Sequence, residues 1–240
     1  PSLKDLNSDL PNPPKGDDQV VFISNTVPQT QCSSCADQSI FLAGDMMNAV
    51  NKLYGSGAGD LVQANHLSAF TFEDLHTFLD GENNNNPNLG NSLAQADWVI
   101  FAFTEFRMNS EESVAFQRLF SEKPSLVQNK KIIGFAFNAP YYPDATDISK
   151  FTAYFALYSK TPQFIEIAAR TLFKEISPIG ILPVSVSSVG YDLISATTPD
   201  PSQVIPLMVI QTGEGQGEIE NSSTTSNESI TITAGGNLPL

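Results

Sequence analysis

Three stretches of this chain are apolar almost without interruption: Val20-Val21-Phe22-Ile23, Trp98–Phe103 and Ile132–Phe137. Runs of that length, bounded by polar turns, predict strands covered on both faces. Thr152–Tyr158 predicts another strand, and Leu61-Val62 the start of a short one. Between these runs the apolar positions change to a helical period. Ile40, Phe41, Met46, Met47, Val50 and Leu53 share one face of a helix expected over 38–54, closed by Gly55. Thr71 and Asp74 form a capping-box pattern ahead of a helix that reaches Leu79, with Gly81 as its stop. Ser110 can cap a helix over Glu111–Phe120, which opens with two acids. Pro162 starts a last helix whose apolar face carries Ile165, Ala168, Leu172 and Phe173. Strands and helices thus alternate, and the strands lack the polar face of an antiparallel sheet. The expected fold is α/β, a three-layer αβα sandwich with a mostly parallel, flavodoxin-like sheet and ligand groups in loops at the carboxyl ends of its strands.

The connecting segments set the expected domain plan. Ile176–Val186 is broken by Pro178, Gly180 and Pro183, and an apolar run carrying Pro183 is expected at a sheet edge or against a neighbouring domain. Glu82–Asn91, with four consecutive asparagines, reads as a loop. Residues 1–18, rich in proline, read as a linker from an upstream domain, and 19–207 as the α/β domain. An acidic, apolar-poor flexible linker is expected over 208–228. Ser229–Thr233 alternates like the first strand of a further β module begun at 229–240. The whole is expected to be the middle piece of a longer protein.

Composition narrows the chemistry. A 240-residue chain that is 41% hydrophobic can bury a substantial core, and no run approaches the ~18 apolar residues of a membrane span. The net charge of −14 opposes nucleic acid and anionic membranes as partners. Half of that charge follows Lys174, the last basic residue. The chain has two histidines, His66 and His76, and two cysteines, Cys32 and Cys35. Two thiols cannot close a zinc site alone, and neither a metal nor a cofactor is expected. Cys32-Ser33-Ser34-Cys35, placed after a strand and before a helix, has three readings: a disulfide of an exported protein, a thiol-redox pair, or two inert thiols. Gly55-Ser56-Gly57-Ala58-Gly59 follows a helix rather than a strand and is an ordinary loop. Neither a Walker loop nor Gly-x-Ser-x-Gly occurs.

Strand ends carry the remaining chemistry. Thr104-Glu105 ends one strand; Asn138-Ala139-Pro140-Tyr141-Tyr142 ends the next, with Asp144 close behind; Tyr158-Ser159-Lys160 ends another. Carboxylates, amides and tyrosine rings are the groups that hold sugar hydroxyls and stack on pyranose faces.

The linked string Ile132–Phe137, Asn138-Ala139-Pro140-Tyr141, Ala153–Tyr158, Ile165–Phe173 and Gly180-Ile181-Leu182-Pro183-Val184-Ser185 resembles the carboxy-terminal α/β sandwich domain of glycoside hydrolase family 3. Residues 130–207 carry the likeness most clearly, and 19–129 fit it more loosely. Tyr191-Asp192-Leu193 and Pro199-Asp200-Pro201 are similar to its exported bacterial β-N-acetylhexosaminidase or β-glucosidase branch. The resemblance implies retaining hydrolysis of a β-linked hexosaminide or glucoside, with an aspartate nucleophile on an upstream barrel domain of the same polypeptide. It implies no catalytic residue in this chain, and a carbohydrate substrate in a cleft that Glu105, Asn138, Tyr141 and Asp144 face, on the chain's own surface or toward the barrel. One departure stands out. Tyr158-Ser159-Lys160-Thr161-Pro162 replaces a Gly-rich turn that approaches the sugar in many members, which leaves a non-catalytic carbohydrate-binding or interaction module as the alternative.

Overall fold

The computed structural model describes residues 12–30, 32–81, 86–178, 180, 182–198, 205–207 and 230–232. Two compact units divide at residues 192 and 193. The larger contains seven strands, β1 (Val20–Ser24), β2 (Val27–Gln29), β3 (Gln38–Phe41), β4 (Leu67–Thr71), β5 (Trp98–Phe103), β6 (Lys131–Ala136) and β7 (Ala153–Ala156). Its α-helices are α1 (Asp45–Tyr54), α2 (Phe72–Leu79), α3 (Leu89–Gln95), α4 (Glu111–Glu122), α5 (Ala145–Lys150) and α6 (Pro162–Leu172). In the second unit, helix α7 spans Leu193–Thr197, and strands β8 (Ile205–Leu207) and β9 (Ile230–Ile232) pair antiparallel. The acidic segment expected to be a linker over 208–228 lies outside the described residues, as do 1–11.

Five strands form one sheet in the order β4-β1-β5-β6-β7, every pair parallel. Numbered by their succession in the chain, this is the 2-1-3-4-5 order of doubly wound flavodoxin-like sheets. The continuous apolar runs resolve into two alternating faces. Val20, Phe22, Trp98, Ile100, Ile133, Phe135 and Phe155 pack into a core with residues of α1 and α6. Val21, Ile23, Val99, Phe101, Phe103, Ile132 and Tyr154 pack into the other, with residues of α2, α3, α4 and α5. A strand buried on both faces needs no polar alternation, and that is why these runs read so plainly. Gly134 faces the second core, where a Cβ would lie 2.5 Å from Tyr154 Cδ2 and 2.8 Å from Phe151 Cε1. The glycine is what lets the two rings lie on the sheet, 5.0 Å apart and near parallel.

Helix ends follow the expected chemistry in two places. Thr71 accepts from the Asp74 amide, and Asp74 accepts in return from the Thr71 amide, both at 2.9 Å. Ser110 caps α4 by accepting from the Ser113 amide.

Several local expectations are corrected. The stretch 38–54 is not one helix: its first four residues are β3, pairing antiparallel with β2, and α1 starts only at Asp45. The second strand of the sheet is β4, not Leu61-Val62, which lies in a turn with Val62 buried. Helix α3 begins inside the segment taken for a loop, 82–91, of which 82–85 lie outside the described residues. No strand forms over Leu182–Ser185. Pro183 has no donor for a ladder, so Leu182 instead buries its side chain in the core and Val186 makes a single antiparallel bridge to Tyr191.

Candidate functional site at the carboxyl edge of the sheet

All five strands end on one side, so four loops meet there: Asn25 onward after β1, Thr104–Ser110 after β5, Phe137–Asp144 after β6 and Leu157–Thr161 after β7. The strand order reverses between β1 and β5, and the loops leaving those two strands diverge to open a crevice. A cavity of about 190 Å³ lies at that point, between Asn25–Pro28, Thr104-Glu105 and the start of α4. A larger groove of about 550 Å³ lies beside the ends of β6 and β7, bounded by the β2–β3 hairpin.

The crevice is built around Glu112. This residue is 2% exposed. Its Oε1 accepts from the Thr104 hydroxyl at 2.6 Å, the Thr104 amide at 3.1 Å and the Asn25 carboxamide at 3.3 Å, and its Oε2 accepts from the Glu105 amide at 2.9 Å. One carboxyl group therefore joins the ends of β1 and β5 to the first turn of α4. All four donors are neutral, so burial dominates and lifts the Glu112 pKa to about 7, against the lowering effect of the Thr104 and Asn25 bonds. In the sequence Glu112 is one of two acids that open α4, with nothing to mark it as buried. Its burial depends on Asn25 and Thr104, which no local pattern ties to it.

The expected site residues do not converge. Glu105 is exposed and forms an ion pair with Arg107, on the rim of the crevice. Asn138 lines the larger groove. Tyr141 is half-buried, its hydroxyl donating to the Tyr158 hydroxyl at 3.1 Å. Asp144 caps α5 by accepting from the Asp147 amide at 2.8 Å, so its carboxylate already has a structural task. Tyr158 has a backbone φ of 62°, a left-handed conformation that glycine adopts without strain. Burial and the bond with Tyr141 push its phenol pKa up.

Cys32 and Cys35 are joined by a disulfide at the exposed tip of the β2–β3 hairpin. The redox context expected for them is corrected: β3 stands between the pair and α1, so no helix N-terminus faces the sulfurs. His66 and His76 each donate to a backbone carbonyl, of Gly16 at 2.8 Å and Glu111 at 3.0 Å. Among the described residues no group of three or more His, Cys, Asp or Glu is placed to hold a metal ion. No helix among them is long and apolar enough to cross a membrane.

These features define a doubly wound α/β protein with its clefts at the carboxyl edge. The chain is similar in fold to a solved structure described as "A unique GCN5-related glucosamine N-acetyltransferase region exist in the fungal multi-domain GH3 beta-N-acetylglucosaminidase", with a TM-score of 0.50 and 19% identity. The match covers 78% of this chain and 18% of that one. No protein-family model matches the chain. No curated protein matches it either.

Proposed function

We propose that this chain is an α/β sandwich module of an exported family 3-type glycoside hydrolase, shaping the sugar cleft beside a catalytic barrel carried elsewhere in the polypeptide. The substrate class is a β-linked N-acetylhexosaminide or glucoside, cleaved with retention by an aspartate of that barrel. The observation that carries this reading is where the motif string falls. Asn138 and Tyr141 follow β6, Tyr158 follows β7, and the Tyr141–Tyr158 hydroxyl pair ties the two loops together at the cleft edge. The fold likeness to a structure from a multi-domain β-N-acetylglucosaminidase supports the same reading. That structure is fungal, so the bacterial branch rests on the sequence motifs alone.

Retaining hydrolysis needs two carboxyl groups about 5–5.5 Å apart across the scissile bond. The three crevice acids do not offer them: Glu112 is spent on four hydrogen bonds and Glu105 on Arg107, which leaves Glu111 without a second carboxyl group to work with. The purified chain is therefore expected to leave an aryl N-acetylglucosaminide intact, while the full-length polypeptide turns it over. Hydrolysis by this chain alone would sink the reading.

A second reading, a non-catalytic carbohydrate-binding or interaction module, is favoured by the turn after β7. Tyr158 puts a large ring where the resembled family has a Gly-rich approach to the sugar, and Pro162 fixes the start of α6. Saccharide titration of the full-length polypeptide, with Tyr141→Ala as control, separates the two. A cleft role makes the variant lose affinity for substrate, whereas a detached binding role leaves turnover unchanged.

A further inference from the structure

The 550 Å³ groove has a mixed polar and apolar lining. One wall is the hairpin, through Gln29, Ser39 and Ile40; the other is the turn Tyr158–Pro162; Phe137 and Asn138 lie between them. Amides and hydroxyls dominate its polar lining, and among the described residues Lys160 is its charged member and no carboxylate lines it. Its apolar parts, Ile40, Phe137, Pro162 and the Tyr158 ring, alternate with those polar groups. Sites of this size that mix apolar surface with a few convergent hydrogen-bonding groups take small amphipathic ligands.

The hairpin wall is anchored at its base, where Phe41 is buried against the Phe137 ring 4.9 Å away, and is weakly built beyond it apart from its tip. Strand β2 has three residues, one of them Pro28, and its register against β3 shifts between Val27 and Pro28. Two-stranded ribbons this short are marginal in water. What closes this one is the Cys32–Cys35 disulfide, backed by the Thr30 hydroxyl donating to Asp37.

We propose that this groove is a saccharide subsite for a neutral glycosyl ring, held by the Gln29 and Asn138 amides and stacked on Tyr158, and that the hairpin disulfide keeps its outer wall in place. The ligand class rests on the function proposed above; the groove and its wall stand on the geometry alone. A dithiol reductant acts by exchange: the S–S bond breaks, two S–H groups form, and the reductant is oxidised to its own disulfide. The outer part of the wall then depends on a three-residue ladder, with Phe41 still holding its base.

The test is titration of the purified chain with N,N′-diacetylchitobiose and with cellobiose, followed by the side-chain amide signals of Gln29 and Asn138 in nuclear magnetic resonance spectra. Saturable shifts are expected with at least one sugar. Asn138→Ala and Gln29→Ala, both at exposed positions, are each expected to weaken binding by about tenfold, the worth of one hydrogen bond. Dithiothreitol is expected to weaken it by a similar factor, with the backbone amide signals of the sheet strands unmoved. Absence of saturable shifts with both sugars overturns the subsite, and so does binding that neither variant weakens. Binding that survives reduction unchanged overturns the role of the disulfide. Hydrolysis by the full-length polypeptide is a separate readout. If it persists while the groove binds nothing, the subsite fails and the glycosidase reading stands.

Discussion

Replacing Glu112 by glutamine tests whether the crevice is organised around a buried carboxyl group. The folded pKa of about 7 lies well above the ordinary carboxylate value of 4.5. At 1.36 kcal/mol per unit, this corresponds to about 3 kcal/mol. The folded state holds the proton more tightly, so this stability is complete below pH 4.5 and is lost as pH rises through 7. Glu111 on its own helix is the like charge that adds to the shift, and the Tyr154 phenol on β7 has its pKa pushed up by burial and by the Glu112 charge. Glutamine keeps an oxygen for the Thr104 donors and never ionises. Denaturant unfolding of both proteins from pH 4.5 to 8.5 supplies the measurement. The difference between the variant and the parent should shift in the variant's favour by about 3 kcal/mol across that range. A difference independent of pH would refute the reasoning, because it would mean that Glu112 binds its proton equally well in the folded and unfolded chains.

Two further substitutions probe the core beneath the site. The Tyr154 hydroxyl is buried and has no hydrogen-bond partner among the described residues, so Tyr154→Phe should raise stability by about 1 kcal/mol, read as a higher denaturant midpoint with an unchanged slope. Gly134→Ala places a methyl group against Tyr154 and Phe151 and should cost about 1–3 kcal/mol, visible as a lower melting temperature.

What could be read from residue order followed from burial on two faces. β1, β5 and β6 stand out because nothing polar interrupts them, and α2 and α4 because Thr71 and Ser110 signal their starts. β4 lay hidden because it is an edge strand, Leu-Ser-Ala-Phe-Thr, with only Phe70 fully buried. Helices α3 and α5 have seven and six residues, too few for a period to emerge, and α3 starts in an asparagine-rich stretch that suggests a turn. Strand β3 reads as the first turn of a helix, since Ile40 and Phe41 also fit a helical stripe leading into α1. Of the site, the strand ends carrying Glu105, Asn138, Tyr141 and Asp144 were legible, because a parallel sheet sends its loops to one edge. Which side chains meet there was not. Asp144 proved to be a helix cap, and Glu112 is assembled from partners as far as 87 residues away.

The parallel arrangement also dictates an order of events during synthesis. β1 docks between β4 and β5, with Val20 opposite Leu67 on one side and Trp98 on the other. A nascent chain therefore carries Val20-Val21-Phe22-Ile23 incompletely covered until residues near 103 have cleared the ribosome. At roughly 5–20 residues per second, several seconds pass in which that sticky tetrapeptide lacks a docking surface on at least one flank. Chaperone demand in this protein should accordingly fall on its amino-terminal third, and truncation just before Trp98 should yield aggregate rather than a smaller folded unit.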